Sequence, residues 1–495
     1  MRYKHIFWDF NGTVIDDVGN ALACVNDMLR RKGMEPITLE DYYTYVETPI
    51  IGFYYRILPP EEVDFPEISK AFHSDYAHHI DETTLAHGAY NLLYELKEMG
   101  VSQYIITSNF IDETLELTKK YGIYDCFDSI LGSDNTFAGS KVERAKQHFE
   151  SVGINRNDAI LIGDTLHDLE TANALGIDCV LVAYGHQGRK LLEEHNAYTV
   201  ESLDDVRNII FDGRVVDFHT HSTCSDGTMT PSQLVEHAKE SGLSAFALTD
   251  HDSVDGIEEA MKKAEEIGIE FVPGIEFSAA DDTETHIIGL FIDPKNEVLL
   301  NTIKKLKGSR KRRMEEICRK LRNLGFDVTY NEALEEAGGN FVGRAHIAKL
   351  MVTKGYCETV KECFDKYIGL GKPAYAQKNE LSAVEAVSSI RAAGGLAFLA
   401  HLNQTGYDIE ELEKLLLQLK EAGLNGIEGY YPEYTAEHIA QYRALAEKLS
   451  LTLSGGSDFH GDMKPHISIG VGRGDLKIPY YVLENMKGIL RRQGL

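Results

Sequence analysis

Short apolar runs alternate with longer amphipathic segments along almost the whole 495-residue chain. An apolar run of four to eight residues is typical of a strand buried on both faces, and apolar residues at every third or fourth position are typical of a helix packed against it. The alternation therefore predicts an α/β protein with mainly parallel sheets. The predicted strands are residues 6–10, 104–107, 160–162, 179–182, 215–218, 245–248, 271–273, 286–291 and 396–400.

Charge and cysteine usage restrict the function classes. Lys and Arg number 50 and Asp and Glu 78, so the net charge is −28. A chain this acidic is a poor partner for duplex DNA or an anionic membrane, whereas small phosphorylated molecules are compatible with it when metal ions reverse the local charge. The seven scattered cysteines indicate neither a disulfide framework nor a thiolate zinc site. We find neither a signal peptide nor an apolar run of about 20 residues, and expect a cytoplasmic protein.

The pattern changes between residues 196 and 216. A short helix is predicted from Leu203 to about residue 210, and a new strand then opens on a different set of polar residues. We predict a first domain over residues 1–211 and a second over residues 214–495.

In the first domain, polar side chains follow several predicted strands. Because parallel sheets gather their ligands at the carboxyl ends of strands, we expect these side chains to meet there. The set suits phosphoryl transfer, in which a carboxylate attacks, acidic residues hold a magnesium ion, and a lysine with hydroxyl groups holds the phosphate. Its members are Asp9, Asn11, Thr107, Ser108, Lys141, Asp164 and Asp168.

These residues resemble the four motifs of the haloacid dehalogenase-like hydrolases. The resemblance implies a Rossmann-like, doubly wound parallel sheet with a helical cap at about residues 14–85. It also implies that Asp9 is the nucleophile, that Thr107 or Ser108 and Lys141 bind phosphate, and that Asp164 and Asp168 hold Mg²⁺. Asn11 stands where the family's phosphatases have the aspartate that acts as general acid and base, and an amide has no proton to exchange. Two alternatives follow: a second phosphatase, or a non-catalytic module that binds a phosphorylated ligand.

The second domain opens with a strand that carries His219 and His221 on one face, the arrangement that a single metal ion requires. Further imidazoles and carboxylates stand near other apolar runs, and they converge on one rim if the strands close a barrel. Nitrogen and oxygen ligands favour Mn, Zn or Fe over Ca, and their number suits two or three divalent ions. These further residues are Asp226, His251, Glu276, His286, His401, Asp458 and His460.

The segments around residues 219–227, 249–252 and 456–460 resemble the polymerase and histidinol phosphatase (PHP) family. The resemblance implies a distorted seven-stranded β/α barrel with a trinuclear metal site. One ion would bind His219, His221, Glu276 and Asp458. A second would share Glu276 and add His286 and His401, and a third would bind Asp226, His251 and His460.

A helical insertion is predicted at about residues 303–377, and its start, residues 304–313, is basic. It resembles the subgroup that contains nucleoside 3′,5′-bisphosphate phosphatases and nucleases of short oligonucleotides. A guanidinium can bind a phosphate with two hydrogen bonds, so Arg344, followed by His346, is predicted to contact the substrate. The expected function is metal-dependent hydrolysis of phosphate monoesters of nucleotides, with a nucleoside 3′,5′-bisphosphate or a nucleoside monophosphate as substrate. The alternative is an exonuclease on short 5′-phosphorylated oligonucleotides, beside a phospholigand-binding first domain.

Overall fold

The computed structural model describes residues 2–47, 50–79, 83–133, 141–280, 284–337, 342–376 and 381–494; the predicted end of the insertion at residue 377 lies outside these ranges. The chain forms two compact units. The first contains Met1–Gly213 and Ala436–Thr452, and the second contains Arg214–Thr435 and Leu453–Leu495. Both are α/β, which confirms the predicted fold class.

The first unit is built on a six-stranded sheet of order β5-β4-β1-β6-β7-β8, and β2 and β3 form a separate antiparallel pair. Its neighbouring strands pair in parallel. The strands of this unit are β1 His5–Trp8, β2 Ile15–Asp16, β3 Thr84–Leu85, β4 Ser102–Phe110, β5 Ser129–Ser133, β6 Ala159–Gly163, β7 Asp178–Val182 and β8 Thr199–Val200.

Helices cover both faces of this sheet, because the central strands are apolar on both sides. Ile6 and Trp8 of β1 face one core cluster, and Phe7 faces another. The helices of the first part of the chain are α1 Val18–Arg31, α2 Leu39–Tyr45, α3 Ile51–Ile57, α4 Phe65–His79, α5 Ala89–Glu98, α6 Ile111–Lys120, α7 Lys141–Val152, α8 Leu166–Leu175, α9 Arg189–Glu194 and α10 Leu203–Phe211. Helices α1 to α4 enclose a core of their own within the segment predicted as the cap.

The second unit contains an eight-stranded sheet of order β15-β14-β13-β12-β11-β10-β9-β16. Its strands are β9 Val215–Asp217, β10 Ala245–Leu248, β11 Glu270–Ala280, β12 Glu284–Leu290, β13 Leu396–Leu399, β14 Gly426–Tyr430, β15 Thr452–Gly455 and β16 Ile478–Pro479. The eighth strand is the two-residue β16, which pairs antiparallel with β9. Beyond β9 and β15 the chain continues the pairing, since Thr220 bridges Phe459 and the amide of Phe218 donates to the carbonyl of Gly455 at 3.1 Å. The sheet therefore curls into a distorted barrel.

The helices of the second half of the chain are α11 Pro231–Glu240, α12 Ile257–Ile267, α13 Glu297–Asn323, α14 Tyr330–Glu336, α15 Arg344–Thr353, α16 Val360–Cys363, α17 Ala383–Ala392, α18 Ile409–Glu421, α19 Ala436–Lys448 and α20 Tyr481–Arg492. Helices α14 to α16 fall in the predicted insertion, whereas α13 begins at Glu297, before its predicted start at about residue 303. The four helices share a separate core around Ile317, Ile347 and Cys363. Among the helices that the structure describes, none has the length and apolarity needed to cross a membrane.

Helix α19 belongs to the first unit, although its sequence lies far along the second half. The guanidinium of Arg443 donates to the carbonyl of Ile177 at 2.8 Å, and the amide of Asn173 donates to Glu447 at 2.8 Å. Burial raises the pKa of Glu447 to about 7. The first unit is thus assembled from two separate stretches of chain.

The single tryptophan, Trp8, lies in the same core cluster as Leu96, so its fluorescence reports the unfolding of the first unit. Leu96→Ala removes buried methyl groups and leaves a cavity, and we expect it to lower the free energy of unfolding by about 2–5 kcal/mol in a urea titration followed by Trp8 fluorescence. Met99→Ala is the matched control, because Met99 is 51% exposed. It should change the free energy by no more than about 0.5 kcal/mol. Equal midpoints for the two variants would contradict the assigned core.

Candidate functional site

The histidines and acidic residues predicted to bind metal in the second unit come from six different strands or the loops that follow them. His219 and His221 follow β9, His251 follows β10, and His401 follows β13. Glu276 and His286 lie within β11 and β12, because these two strands pair as a long antiparallel hairpin that extends beyond the apolar run. Asp226 lies in the loop before α11, and Asp458 and His460 follow β15.

Glu276 is fully buried and lies at the centre of this cluster. Its Oε2 lies 3.3 Å from Nε2 of both His219 and His221 and 3.0 Å from Nδ1 of His251. Its Oε1 lies 2.8 Å from Nδ1 of His286 and 3.1 Å from Nε2 of His401. One carboxylate therefore contacts five imidazoles.

A second group of side chains surrounds Asp226. Its Oδ1 lies 3.2 Å from Nε2 of His460 and 3.8 Å from Nδ1 of His221, and its Oδ2 lies 3.8 Å from Nε2 of His251. The ligand atoms of these four residues all lie within 4.8 Å of one another. The same holds for the trio His219, His221 and Asp458 and for the trio His251, Glu276 and His286. His221 and His251 each belong to two groups, so the groups are contiguous.

Two residues of this cluster have positive φ angles, and a glycine lies directly against a third. Asp458 has φ 55° and His401 has φ 25°, values that non-glycine residues adopt rarely and mainly where surrounding contacts enforce them. Gly456 lies directly against His219, since a Cβ atom at this position would stand 2.1 Å from the Cβ of His219. A side chain at position 456 would therefore displace His219.

Several residues behind the cluster were not predicted from the sequence. Glu428, fully buried in β14, accepts from Nδ1 of His219 at 3.0 Å and from the backbone amide of His401 at 2.7 Å. The Tyr431 hydroxyl donates to Asp458 Oδ2 at 3.0 Å, and Lys464 Nζ lies 2.5 Å from the same oxygen. A lone acid inside the apolar run of residues 426–430 was the available signal for Glu428.

The electrostatics of the cluster follow from the burial of opposite charges together. Burial raises the pKa of Glu276, but the charges of His251, His219 and His286 outweigh it and hold the pKa well below its ordinary value. Asp226 is likewise held at a low pKa, against its burial, by His460 and His251. Burial, with His460 beside it, lowers the pKa of His221 to about 3. His221 is therefore a neutral imidazole, the form that binds metal.

The donor set fits divalent metal ions. Several polar atoms of the cluster are buried without a hydrogen-bond partner among the described residues, namely His219 Nε2, both ring nitrogens of His221, Asp226 Oδ1, Glu276 Oε2 and His401 Nδ1. Buried polar atoms left unpaired are costly, and among these Nε2 of His219 and Nε2 of His221 both lie 3.3 Å from Oε2 of Glu276, where a cation would satisfy all three. Imidazole and carboxylate ligands together suit Zn, Mn or Fe.

The insertion carries both predicted substrate residues in the first turn of α15. His346 is buried at the start of α15, where its Nδ1 accepts from the amide of Gly343 at 3.1 Å. Burial lowers the pKa of His346, and the nearby charge of Asp226 opposes the shift. The guanidinium of Arg344 is half-buried and lies 5.6 Å from the centre of the Phe364 ring.

In the first unit, four of the predicted residues form one buried cluster at the carboxyl ends of β1 and β6. Lys141 Nζ forms ion pairs with Asp9 and with Asp168, the latter at 2.5 Å. Ligand oxygens of Asp9, Asp164 and Asp168 lie within 4.8 Å of one another, an all-oxygen set that fits Mg²⁺. Gly12 has φ 71°, and a Cβ atom there would stand 2.3 Å from Asp164 Oδ2.

Burial also sets the protonation of this cluster. It raises the pKa of Asp9 well above the ordinary value despite the opposing charge of Lys141, and it raises that of Asp164 to about 6. Asp168 keeps a lowered pKa, because the charge of Lys141 outweighs its burial. Three carboxylates with one lysine leave an excess of buried negative charge, which a cation would balance.

A cavity of about 510 Å³ is lined by Asn11 and Thr165, which lie two residues from Asp9 and one residue from Asp164, and by Ser108, Tyr42 and Tyr76 among others. Ser108 is exposed, whereas Thr107 is buried and its Oγ1 accepts from the backbone amide of Asn109 at 3.2 Å. Two further lining residues, Asp17 and His186, were not predicted from the sequence. The available signal for Asp17 was the Asp16-Asp17 doublet shortly after the Asp9 motif, and no local pattern marks His186.

Comparison with known proteins identifies both halves. The family model described as haloacid dehalogenase-like hydrolase matches residues 6–182, and the one described as PHP domain matches residues 217–458. A 5′-3′ exoribonuclease from Haemophilus influenzae is 35% identical over 248 residues, which is 49% of this chain and 89% of the relative.

Two further proteins match the second half, both from Chromobacterium violaceum. A 3′,5′-nucleoside bisphosphate phosphatase is 32% identical over 247 residues, covering 50% of this chain and 87% of the relative. The solved structure of an amidohydrolase has a TM-score of 0.50 and 28% identity, covering 55% of this chain and 96% of that structure. These matches confirm both resemblances, and the chain belongs to the PHP family of metal-dependent phosphoesterases, fused to a haloacid dehalogenase-like hydrolase domain.

Proposed function

We propose that the second unit hydrolyses a phosphate monoester of a nucleotide, with a nucleoside 3′,5′-bisphosphate or a nucleoside monophosphate as substrate. The observation that carries the proposal is the contiguous cluster of buried imidazoles and carboxylates around Glu276 and Asp226. The phosphatase from C. violaceum, matched over 87% of its length, supports the choice of substrate.

We assign the ligands to three ions. The first would be held by His219, His221, Glu276 and Asp458, the second by Glu276, His286 and His401, and the third by Asp226, His251 and His460. The ions, with Mn, Zn and Fe as candidates, would supply an activated water and neutralise charge on the phosphate. Contacts within 4 Å join members of each proposed set, and this supports the assignment.

The surrounding residues hold these ligands in place. Glu428 fixes the ring of His219 by accepting from Nδ1, which leaves Nε2 directed at the cluster. Asp250 accepts from the Ser222 amide at 2.8 Å and from the Ser225 hydroxyl at 2.6 Å. This holds the loop that carries Asp226. Such outer contacts orient metal ligands and tune their basicity.

For the substrate, we propose that Arg344 binds the phosphate that is not cleaved. A planar guanidinium matches two phosphate oxygens, and in a chain of net charge −28 a local cation is important for an anionic ligand. The charge of Asp226 acts on the pKa of His346, and this supports a place for the first turn of α15 near that carboxylate.

The second candidate is an exonuclease acting on short 5′-phosphorylated oligonucleotides. The exoribonuclease from H. influenzae, 35% identical, favours it, and so does the basic run of residues 304–313 within α13, where a few nucleotides could bind. In this alternative the first unit is a module that binds a phosphorylated ligand.

The metal assignment predicts that His219→Ala and His401→Ala each lower the rate of nucleotide hydrolysis by at least about 100-fold, because each removes a direct ligand. Phosphate release from a nucleoside 3′,5′-bisphosphate under fixed Mn²⁺ measures the loss. His438→Ala is the control, since this histidine lies on α19 and stacks on Tyr442. Variants as fast as the parent protein would refute the assignment.

The role of Glu428 predicts weaker metal binding in Glu428→Gln, because an amide cannot accept from both His219 and the backbone of His401 as a carboxylate does. The Mn²⁺ concentration that gives half of the maximal thermal stabilisation should rise about 10–100-fold. Glu433→Gln removes a carboxylate that pairs with Arg473, and it should leave this concentration unchanged. A Glu428→Gln protein with parental metal affinity would contradict the role.

The role of Arg344 is tested by substrates that differ in one phosphate. Arg344→Ala should raise KM for a nucleoside 3′,5′-bisphosphate about 10–100-fold, the cost of losing charged hydrogen bonds, and leave KM for the 5′-monophosphate unchanged. An equal rise for both substrates would contradict it. Faster turnover of a 5′-phosphorylated trinucleotide than of the bisphosphate would favour the exonuclease.

A further inference from the structure

The amide of Asn11 is completely engaged by its neighbours in the first unit. Its Nδ2 donates to Asp17 Oδ2 at 2.6 Å and to the Tyr76 hydroxyl at 2.8 Å, and its Oδ1 accepts from the side-chain Nδ2 of Asn109. Asn11 lies two residues after Asp9, on the cavity side of the acidic cluster. Its orientation is fixed, and it has no acidic proton.

Asp17, the carboxylate beside Asn11, is equally committed. It accepts from the Gly12 amide at 2.7 Å and from the Tyr76 hydroxyl at 2.7 Å, and its Oδ1 lies 3.2 Å from Nε2 of His186. Burial raises its pKa, but His186 and the hydrogen bonds from Tyr76 and Asn11 hold the pKa below its ordinary value. Asp17 is therefore an ionised acceptor and does not replace the missing acid.

The other acidic and imidazole groups that line the described cavity are Glu47, Glu113, His167 and His186. Glu47 pairs with Arg56 at 2.7 Å, and Nδ1 of His167 lies 2.8 Å from Glu170. His186 is held between Asp17 and the Tyr42 hydroxyl, which lies 3.0 Å from its Nδ1. Glu113, in the first turn of α6, is the remaining carboxyl group and is included in the test below.

The residues for phosphoryl transfer are nevertheless together. Asp9 lies against Lys141, beside Asp164 and Asp168. A cavity of about 510 Å³ is lined by Asn11 and Thr165, which lie two residues from Asp9 and one residue from Asp164. Attack on phosphorus needs only the carboxylate and a place for the phosphate, whereas departure of an alkoxide needs a proton donor. The first unit contains Asp9 and Lys141, which suit attack on phosphorus. It has Asn11 at the position where a proton donor for the leaving group is expected.

We propose that the first unit takes phosphoryl groups from activated donors, such as acyl phosphates and phosphoanhydrides, whose leaving group departs as a stable anion. This activity goes beyond the function proposed for the second unit. An oxygen of Asp9 forms a bond to phosphorus, the bond from phosphorus to the leaving group breaks, and the leaving group departs with the electron pair. Water then attacks the phosphorus of the aspartyl phosphate, releasing the Asp9 carboxylate and phosphate, which keeps both protons of the water.

Because the second step also lacks a general base, the aspartyl phosphate accumulates. The experiment uses the full chain with His219→Ala, which removes the activity proposed for the second unit, so that the two proposals fail separately. With Mg²⁺, kcat/KM is measured for acetyl phosphate, p-nitrophenyl phosphate and glycerol 3-phosphate. We expect glycerol 3-phosphate to be slower than p-nitrophenyl phosphate by at least about 100-fold, the usual contribution of a general acid.

Asn11→Asp is the diagnostic variant. It places a carboxyl group against the Asp17 carboxylate, and two such groups in contact share a proton, so a donor is created. We expect kcat/KM for glycerol 3-phosphate to rise about 100-fold, with little change for acetyl phosphate. Asn11→Ala is the matched control, since it removes the amide without adding an acid. Urea unfolding followed by Trp8 fluorescence verifies that each variant is folded.

The phosphoenzyme gives a readout other than turnover. Acid quenching during acetyl phosphate hydrolysis, followed by mass spectrometry, should find one phosphoryl group on Asp9, less of it in Asn11→Asp and none in Asp9→Asn. The proposal is overturned if no phosphoryl group is found, which would favour a binding module. It is also overturned if the protein with Asn11 cleaves glycerol 3-phosphate within about tenfold of p-nitrophenyl phosphate. If the protein with Asn11 cleaves glycerol 3-phosphate at this rate and Glu113→Gln abolishes the cleavage, Glu113 is the general acid that protonates the leaving group.

Discussion

A carboxylate that is removed from water has to be paired with positive charge, and Glu276 imposes this requirement on the whole second unit. It is fully buried and lies within 3.3 Å of five imidazoles that come from four strands or their following loops. A one-residue slip of any contributing strand would turn its ligand to the other face of the sheet. The site therefore forms only when the barrel strands pair in the correct register. His401 and Asp458, which have positive φ angles, are held in these strained conformations by the same arrangement.

The first unit meets the same electrostatic requirement with a lysine. Lys141 pairs with Asp9 and Asp168, while Asp164 accepts from the Thr13 hydroxyl at 3.1 Å and from the His186 amide at 2.6 Å. The two units thus concentrate negative charge at the ends of their strands in different ways, one against imidazoles and the other against an ammonium group. In both, the carboxylates that make a bare site costly are those that make it attractive to a cation and then to phosphate.

The sequence predicted those parts of the fold and the sites that depend on local pattern. The apolar runs located the main strands, and polar residues near strand ends marked most of the clustered side chains. Glu276 was expected beyond its strand, but β11 continues to Ala280 because it pairs with β12. The contacts of Glu428 with His219 and of Asn11 with Tyr76 span 209 and 65 residues, and no local pattern links such partners. The sequence showed that Asn11 replaces the aspartate of the family's phosphatases. It did not show that Asp17, Tyr76 and Asn109 bind the Asn11 amide.

Helix α19 has a consequence for how this chain can be dissected. The first unit comprises Met1–Gly213 and Ala436–Thr452, so the polypeptide leaves it, builds most of the second unit, returns for one helix and departs again. No single cut yields both units whole. A fragment that stops at residue 213 would lack the partner of Asn173 and Ile177, and Arg443 and Glu447 would lose theirs in the complementary piece. The two units are therefore interleaved along the chain, and separating them would require a redesigned chain in which Ala436–Thr452 is transferred to the first unit and residues 435 and 453 of the second unit are joined by a linker.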